Sequence, residues 1–191
     1  QILPKKWDPT LNLNTGRTEA EQLSLPLTFP TSAKPFRWKN TAPLEYTGVV
    51  GPHLVTLKHL QNGDVCYCLH SHSHPEKAET ALLDFNAAVS LAGLWKAFSA
   101  SDARFAALAR HLSGARVLRQ DPFECLIQFL CSSNNNIARI TKMVDHVSSL
   151  GVHVGDVGGF QFHVFPSLEQ LSSVSEQQLR DAGFGYRFIS Y

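Results

Sequence analysis

Hydrophobic and polar residues alternate with a period of two in the first part of the chain, as they do in β-strands. Alternating leucines at 23–27 predict a short or edge strand, since Pro26 cannot donate to a sheet ladder. Residues 53–60 alternate as a half-buried strand does. Asn62-Gly63 separates them from a second run at 65–69, which is the pattern of a tight hairpin. The first portion is therefore predicted to form a small antiparallel sheet.

After the predicted sheet, apolar residues recur at the spacing of helices, and the rest of the chain is predicted to be wholly helical. Helices are expected within 78–85, 91–98 and 105–112, and Gly114 is placed to end the third. The next helix is expected to begin at 121–124, Asp-Pro-Phe-Glu. Aspartate caps a helix, proline tolerates its first turn, and glutamate three residues after the cap completes a capping box.

Two more helices are expected after that one. The first is capped by the asparagines at 134–136 and ends at Gly151. The last begins at Ser175, with Gln178 as its capping-box partner, and ends at Gly183. The residues predicted to form the buried apolar faces of these helices and of the one before them are Phe123, Leu126, Ile127, Leu130, Ile137, Ile140, Val144 and Val147.

Composition and charge restrict the classes of function. With 191 residues, 43% of them hydrophobic, the chain is long enough to bury a core. The formal net charge of +1 does not indicate nucleic-acid binding, so basic groups that serve it must be placed locally. The chain shows no 18-residue apolar run and no secretory pattern, and its four cysteines do not suggest a disulfide framework. We therefore expect no membrane span and a reducing compartment.

One motif suggests metal binding. Cys66, Cys68, His70, His72 and His74 alternate, so on a strand all five would lie on one face, where sulfur and imidazole bind zinc or copper. Neighbouring ligands of that spacing lie roughly 6.5 Å apart on a straight strand, too far for one tetrahedral site. An inward cysteine pair followed by a polar loop is the favoured interpretation, and a metal-binding protein stays a weaker alternative.

The most specific strings lie in the helical part. Residues 119–126 read Arg-Gln-Asp-Pro-Phe-Glu-Cys-Leu, and residues 131–140 read Cys-Ser-Ser-Asn-Asn-Asn-Ile-Ala-Arg-Ile. Three asparagines between two helices offer amide groups, and the N–H groups that begin the second helix offer a phosphate-type anion site. From these residues alone, a capped helix–turn–helix with solvated asparagines is the simpler interpretation.

These strings resemble the signature of eukaryotic 8-oxoguanine DNA glycosylases, which belong to the helix–hairpin–helix glycosylase superfamily. Phe-Arg-Trp at 36–38, Phe-Pro-Ser-Leu at 165–168 and Gly-Tyr-Arg at 185–187 match in the same order, so the resemblance spans residues 20–187. It implies an α+β fold: an antiparallel β-sheet N-terminal domain with helices, followed by the first helices of an all-α helix–hairpin–helix glycosylase domain. The implied division is an extension at 1–20, the sheet-plus-helix domain at 21–118 and the helical part at 119–191.

The resemblance implies a bifunctional DNA glycosylase and AP lyase of base excision repair that needs no cofactor and no metal. Such enzymes flip the oxidised guanine out of the duplex, because its glycosidic carbon cannot be reached while the base is stacked. A lysine amine then attacks the sugar and forms a Schiff base that permits strand cleavage. The implied partner is double-stranded DNA containing 8-oxoguanine opposite cytosine, bound by a monomer. The implied location is the nucleus, with the mitochondrion as the alternative.

The resemblance also assigns site residues. Asn134 enters the space that the flipped base leaves, and Tyr186 is the wedge beside the estranged cytosine. Arg139 and Arg187 read the cytosine, whose O2 and N3 acceptors suit the donor-only guanidinium group. Without the resemblance, core packing of Tyr186 and a helix-dipole contact of Arg187 are the alternatives. The remaining assignments are Asn135 and Asn136 to the DNA-binding segment, and Ala33 and Phe129 to the lesion pocket.

Two departures from the family pattern stand out. The family has Gly-Gln just before Phe-Arg-Trp, and that glycine's carbonyl accepts the N7 hydrogen that distinguishes 8-oxoguanine. Residues 31–35 here read Thr-Ser-Ala-Lys-Pro, in which Ala33 keeps a carbonyl but Pro35 restricts the backbone. The nucleophilic lysine and catalytic aspartate are expected downstream of Tyr191. The start at Gln1 also favours a cut chain, so we expect this chain alone to be inactive, with a non-catalytic damaged-DNA-binding fragment as the alternative reading.

Overall fold

The structure, a computed structural model, describes residues 24–29, 36–61, 65–70, 91–112 and 114–188. The helix predicted at 78–85, the lesion-pocket residue Ala33, and the possible ligands His72 and His74 lie outside the described residues.

The predicted antiparallel sheet is confirmed. Its four strands are β1 (Lys39–Ala42), β2 (Glu45–Val50), β3 (His53–His59) and β4 (Val65–Leu69), and they pair in that order. The hairpin predicted around Asn62-Gly63 is present, because β3 and β4 pair antiparallel with His59 opposite Val65. The turn itself, at 62–64, lies outside the described residues.

The strand predicted at 23–27 is wrong for the residues that the structure describes there, because Leu25–Thr28 form a short helix, α1. Ser24 occupies the N-cap position and Pro26 lies in the first turn, where its missing N–H costs no hydrogen bond. The helical geometry also separates the two leucines: Leu25 is fully buried, whereas Leu27 is 37% exposed. Leu25 and Leu27 therefore neither belong to a strand nor lie on the same face of the helix.

The half-buried character predicted for β3 is also wrong, because the strand is buried on both faces. Val55 and Leu57 pack in one cluster with Leu25 and Phe29 from the α1 segment. On the other face, Leu54 packs with Val49 and Phe162. Phe162 belongs to a hairpin about 100 residues further along the chain, so both faces of the sheet are covered by distant segments.

That hairpin corrects the prediction of a wholly helical second part. It consists of β5 (His153–Val157) and β6 (Phe160–His163), which pair antiparallel. Gly158 and Gly159 form its turn with φ of +59° and +82°, the left-handed values that two-residue hairpin turns require. A Gly-Gly pair between two β-branched or aromatic runs is a hairpin signal, and it outweighs the helical spacing around it.

The helices are α2 (Leu91–Ser101), α3 (Ala103–Ala109), α4 (Pro122–Ser132), α5 (Ile137–Ser149), α6 (Leu168–Ser172) and α7 (Glu176–Asp181), followed by a single 3-10 turn at Gly185–Phe188. The predicted cap of the last helix is confirmed: Ser175 and Gln178 form a capping box. Gly114 does not end α3, which stops at Ala109. None of the helices in the described part of the chain is long and apolar enough to cross a membrane.

The apolar face predicted for α4 is correct for Phe123 and Ile127, which are half-buried, and wrong for Leu126 and Leu130. Leu126 is 54% exposed and Leu130 is 39% exposed, whereas Gln128 and Cys131 are buried. The inward side of the helix carries Gln128 and Glu124, which form a polar network with Arg37 of the segment before β1. The face predicted for α5 is confirmed except at Ile137, which is exposed; the buried core of the helical part comprises Phe36, Cys131, Ile140, Met143, Val144, Val147, Leu179 and Phe184.

Candidate nucleic-acid interface

The turn between α4 and α5 places three consecutive asparagines in different environments. Asn134 is exposed and has φ of +44°, a left-handed conformation that asparagine adopts more readily than most residues. The Asn135 amide donates to the Cys131 carbonyl at 2.9 Å, and the Asn136 side chain caps α5 by accepting the Arg139 N–H at 3.0 Å. The Asn135 and Asn136 side chains thus hold the turn, and Asn134 is left exposed to solvent.

Two arginines connect this turn to the segment after α7. Arg139, in the first turn of α5, donates through Nη2 to the Gly183 carbonyl at 2.6 Å. Arg187 reaches in the opposite direction and donates through Nη2 to the carbonyls of Ser133 at 2.5 Å and Asn134 at 3.2 Å. The structure therefore brings together two sets of predicted DNA-binding residues that lie about 50 positions apart in the sequence.

Tyr186 lies beside these arginines and is 55% exposed, so core packing does not explain it. The Arg187 guanidinium carbon lies 5.0 Å from the centre of the Tyr186 ring, a cation–π contact. Phe184, two residues before Tyr186, is fully buried in the helical core and anchors the segment. An anchored segment with an exposed aromatic ring at its end suits insertion beside a base.

The guanidinium groups retain donors for a ligand. Within the described residues, Arg139 uses only Nη2 and the backbone N–H, so its Nε and Nη1 groups have no partner. The Nε of Arg187 also has no partner in the same part of the structure, but it is buried. The free donors of Arg139 and the N–H groups that begin α5 create a local positive surface in a chain of net charge +1.

A buried ion pair fixes the direction in which α4 carries this turn. Arg37 is 8% exposed and donates through Nη1 to Glu124 at 2.5 Å, and through Nη2 to the His163 carbonyl. The second Glu124 oxygen accepts the Gln128 amide at 2.8 Å. The capping box predicted for Glu124 is therefore wrong: Asp121 caps α4, but the glutamate turns to Arg37 instead. Burial raises the pKa of the Glu124 carboxyl and lowers the pKa of Arg37, and their mutual attraction opposes both shifts.

The sequence strings contained both partners of this ion pair but not the pairing. Arg37 lies in Phe-Arg-Trp and Glu124 in Asp-Pro-Phe-Glu, 87 positions apart. A single sequence gives no sign that two such positions are in contact, apart from their opposite charges. The guanidinium of Arg37 also lies 5.3 Å from the ring centre of Phe165, which begins the Phe-Pro-Ser-Leu string at 165–168.

The cysteine and histidine motif does not assemble among the described residues. The Cys66 and Cys68 side chains are buried in β4, as the inward-pair interpretation predicts. The His70 Nε2 atom lies 2.7 Å from the Thr56 hydroxyl, which in turn bonds the Thr47 hydroxyl at 2.8 Å. In the part of the chain that the structure covers, no group of three ligating side chains can hold a metal ion.

Phe129, assigned to the lesion pocket, is 63% exposed on α4. It lies five residues before Asn134, on the helix that leads into the turn. Its assignment stays a prediction.

Cys131 lies under the turn and differs from Cys125, its neighbour on α4. Cys131 is fully buried, and this burial raises the pKa of its thiol to about 11, against an ordinary value near 9. The nearby Arg187 opposes the shift. Cys125 is exposed.

We expect iodoacetamide to modify Cys125 in the folded protein and to spare Cys131, since the thiolate is the reacting form. Because the folded state holds the Cys131 proton more tightly, its contribution to stability is complete below pH about 9 and is lost as the pH rises towards about 11. Mass spectrometry after alkylation, and denaturant unfolding across this range with Cys131→Ala as control, check both statements. Rapid alkylation of native Cys131 would contradict them.

The family model for the 8-oxoguanine DNA glycosylase N-terminal domain matches residues 17–126, more than half of the chain. The N-glycosylase/DNA lyase OGG1 of Arabidopsis thaliana is 63% identical over 184 residues, which are 95% of this chain and 48% of that protein. The N-glycosylase/DNA lyase of Saccharomyces cerevisiae is 47% identical over 89 residues, which are 46% of this chain and 23% of that protein. The chain thus spans less than half the length of these relatives.

Solved structures show the same fold. An 8-oxoguanine glycosylase/lyase from Clostridium acetobutylicum, in complex with duplex DNA containing cytosine opposite 8-oxoguanine, superposes with a TM-score of 0.73 at 24% identity. The match covers 86% of this chain and 55% of that one. The structure of MBOgg1 in complex with a low-affinity DNA ligand gives a TM-score of 0.75 at 26% identity, with the same coverage. The predicted α+β fold is confirmed, and the chain belongs to the 8-oxoguanine DNA glycosylase family.

Proposed function

We propose that this chain supplies the part of an 8-oxoguanine DNA glycosylase and AP lyase that reads the base opposite the lesion. Its ligand is duplex DNA with 8-oxoguanine opposite cytosine, encountered in the nucleus. Family membership supports this proposal, as does the Arabidopsis relative, an N-glycosylase/DNA lyase that shares 63% of the aligned residues.

The observation that carries the proposal is the reciprocal contact between the two arginine segments. Arg139 binds the Gly183 carbonyl, and Arg187 binds the carbonyls of Ser133 and Asn134. The residue that fills the emptied stack and the residues that read the cytosine are therefore parts of one connected unit. Extruding a base costs a few kcal/mol, and a connected unit lets the contacts with the orphaned cytosine offset that cost.

Each side chain has a role that its position supports. Asn134 is exposed at the tip of the turn and enters the space that the flipped base vacates. Tyr186 wedges beside the cytosine, and its contact with Arg187 keeps ring and guanidinium together. Arg139 reads the O2 and N3 acceptors of the cytosine through its unused Nε and Nη1 donors, and Arg187 joins it by releasing a carbonyl that it now binds. An adenine at that position presents a different edge, which favours 8-oxoguanine paired with cytosine.

Equilibrium binding to three duplexes tests this proposal: 8-oxoguanine opposite cytosine, 8-oxoguanine opposite adenine, and an undamaged control. We expect the first to bind most tightly. Arg139→Ala or Arg187→Ala is expected to remove roughly 1–3 kcal/mol of the preference for cytosine, as loss of a guanidinium that reads a base does. Arg180→Ala is a matched control, because Arg180 is exposed on α7 and pairs only with Glu176 among the described residues.

Equal affinity for all three duplexes would contradict the proposal. So would an unchanged preference for cytosine in both arginine variants. Far-UV circular dichroism of each variant separates a lost contact from a lost fold, since Arg139 and Arg187 also hold backbone carbonyls.

A second candidate, damaged-DNA binding without excision, concerns the 191-residue polypeptide alone. Two of its described lysines are engaged in ion pairs: Lys39 with Asp145 and Lys58 with Glu45. Lys142 is exposed on α5, one turn after Arg139, where it suits a phosphate contact. We therefore expect borohydride to trap no Schiff base between this polypeptide and an 8-oxoguanine duplex, while specific binding persists. A covalent adduct would favour excision by these residues themselves.

A further inference from the structure

A groove of about 400 Å³ lies between α2 and α3, in a part of the molecule that the proposed DNA contacts do not use. Its volume falls within the range of roughly 300–1,000 Å³ that concave binding sites occupy. Small side chains leave this space open: Ala92 on α2, and Ala106 and Ala109 on α3, line it together with the indole of Trp95.

The indole is held in place. Its ring centre lies 5.1 Å from that of Phe105, and Phe105 makes an edge contact with Phe98 at 5.4 Å. The tilted and edge-on contacts with two phenylalanines thus support the indole that lines the groove. A side chain held in this way loses little entropy of its own when a ligand binds.

The two polar side chains at this groove that carry charge are both cationic. Lys96 and Arg110 line it, both are exposed, and neither forms an ion pair within the described residues. Residues 91–119 contain five lysines and arginines and one acidic residue, a net of +4 in a chain whose total is +1. That acidic residue, Asp102, caps α3 by accepting the N–H groups of Arg104 and Phe105. Lys96 and Arg110 therefore give the groove itself two positive charges and no negative one among its lining residues.

The same two helices also carry exposed apolar side chains. Leu94 and Phe98 on α2 are 39% and 49% exposed, and Leu108 on α3 is 56% exposed. Most contacts to a DNA backbone are hydrogen bonds and ion pairs to phosphates, which suit the cations but not these side chains. A protein segment that combines carboxylates with an apolar side chain satisfies both features.

We propose that the groove between α2 and α3 binds an acidic segment of a partner protein that carries an apolar anchor. The anchor packs on the alanines and Trp95, and flanking carboxylates pair with Lys96 and Arg110. This is the helix-in-groove or extended-peptide mode of recognition, in which pockets give specificity and charges give orientation. The proposal is independent of the DNA site, which lies on the turn between α4 and α5.

Fluorescence anisotropy with three labelled synthetic peptides tests it, using the whole chain. The first alternates glutamates with leucines in an amphipathic pattern, the second replaces the glutamates by lysines, and the third replaces the leucines by serines. We expect the first peptide to bind most tightly and its affinity to fall as salt rises. The double variant Lys96→Glu/Arg110→Glu is expected to weaken its binding about tenfold or more, since it replaces two attractions by two repulsions.

Ala106→Phe, which fills the groove without changing charge, should also abolish binding of the first peptide. Arg180→Ala, which removes an exposed cation on α7, is the matched control and should leave that binding unchanged. Equal binding of all three peptides, or unchanged binding in the charge-reversed protein, would overturn the proposal. It would equally be overturned if charge reversal weakened binding of an undamaged duplex while the peptide bound as before, because the groove would then serve DNA.

Discussion

Replacing Arg37 by alanine is expected to destabilise the protein by about 3–5 kcal/mol, the usual cost of leaving one member of a buried ion pair without its partner. Glu124 would remain buried with Gln128 as its only described donor, and the His163 carbonyl would lose the Nη2 hydrogen bond. Because these contacts join β6, α4 and the segment before β1, we expect the loss to appear in one cooperative unfolding transition, measured by urea denaturation.

The neighbouring pair between Lys39 and Asp145 provides the control. Their atoms are 2.7 Å apart, but Asp145 is 48% exposed, so Lys39→Ala should cost at most about 1 kcal/mol. The double replacement Arg37→Leu/Glu124→Leu should recover much of the loss, because an apolar pair removes the unpaired charge. If Arg37→Ala unfolded with the same midpoint as Lys39→Ala, the ion pair would not anchor α4.

Gly151→Ala is expected to destabilise the protein by about 3 kcal/mol or more, the upper part of the range for overpacking a core. A Cβ at this position would lie 1.9 Å from the Val164 carbonyl oxygen, a backbone atom that cannot rotate away. The clash would separate the end of α5 from the segment after β6. Since Val164 also donates to the Val152 carbonyl at 2.8 Å, the hairpin would lose its base.

Gly159→Ala separates steric clash from backbone strain in this experiment. Gly159 has φ of +82°, yet a Cβ there meets nothing within 4 Å, so its cost should be limited to about 1–2 kcal/mol. Thermal or urea unfolding of both variants measures the difference. Equal destabilisation by the two variants would show that the backbone near Gly151 relaxes, so that the clash adds no cost of its own.

Local signals in the sequence predicted the elements whose determinants lie within a few residues. The cap at Asp121 and the capping box of Ser175 and Gln178 each depend on side chains next to the backbone groups they satisfy. Predictions failed where a distant segment decided the outcome. Glu124 leaves its own helix terminus because Arg37 offers a buried partner 87 positions away, and no local pattern contains that information.

The same difference between local and distant determinants applies to the candidate site. The resemblance to a family predicts DNA contacts at Asn134, Arg139, Tyr186 and Arg187, whereas residue types and spacing alone favoured a solvated turn. The sequence does not reveal that each arginine binds a backbone carbonyl of the other segment, since the hydrogen bond from Arg187 to Ser133 joins residues more than 50 positions apart. The exposed face of α4 was missed for a related reason. An apolar pattern reports which residues can be buried, but it does not identify the segment that covers them.

The covering of the sheet by a late hairpin has a consequence for biosynthesis. Strands β1 to β4 are complete once residue 69 leaves the ribosome, but Phe162, which packs on Val49 and Leu54, follows only after α2 to α5. At 5–20 residues per second, that interval lasts roughly 5–20 s. During it, the growing chain presents an uncovered apolar sheet surface, which is a substrate for chaperones and a route to aggregation.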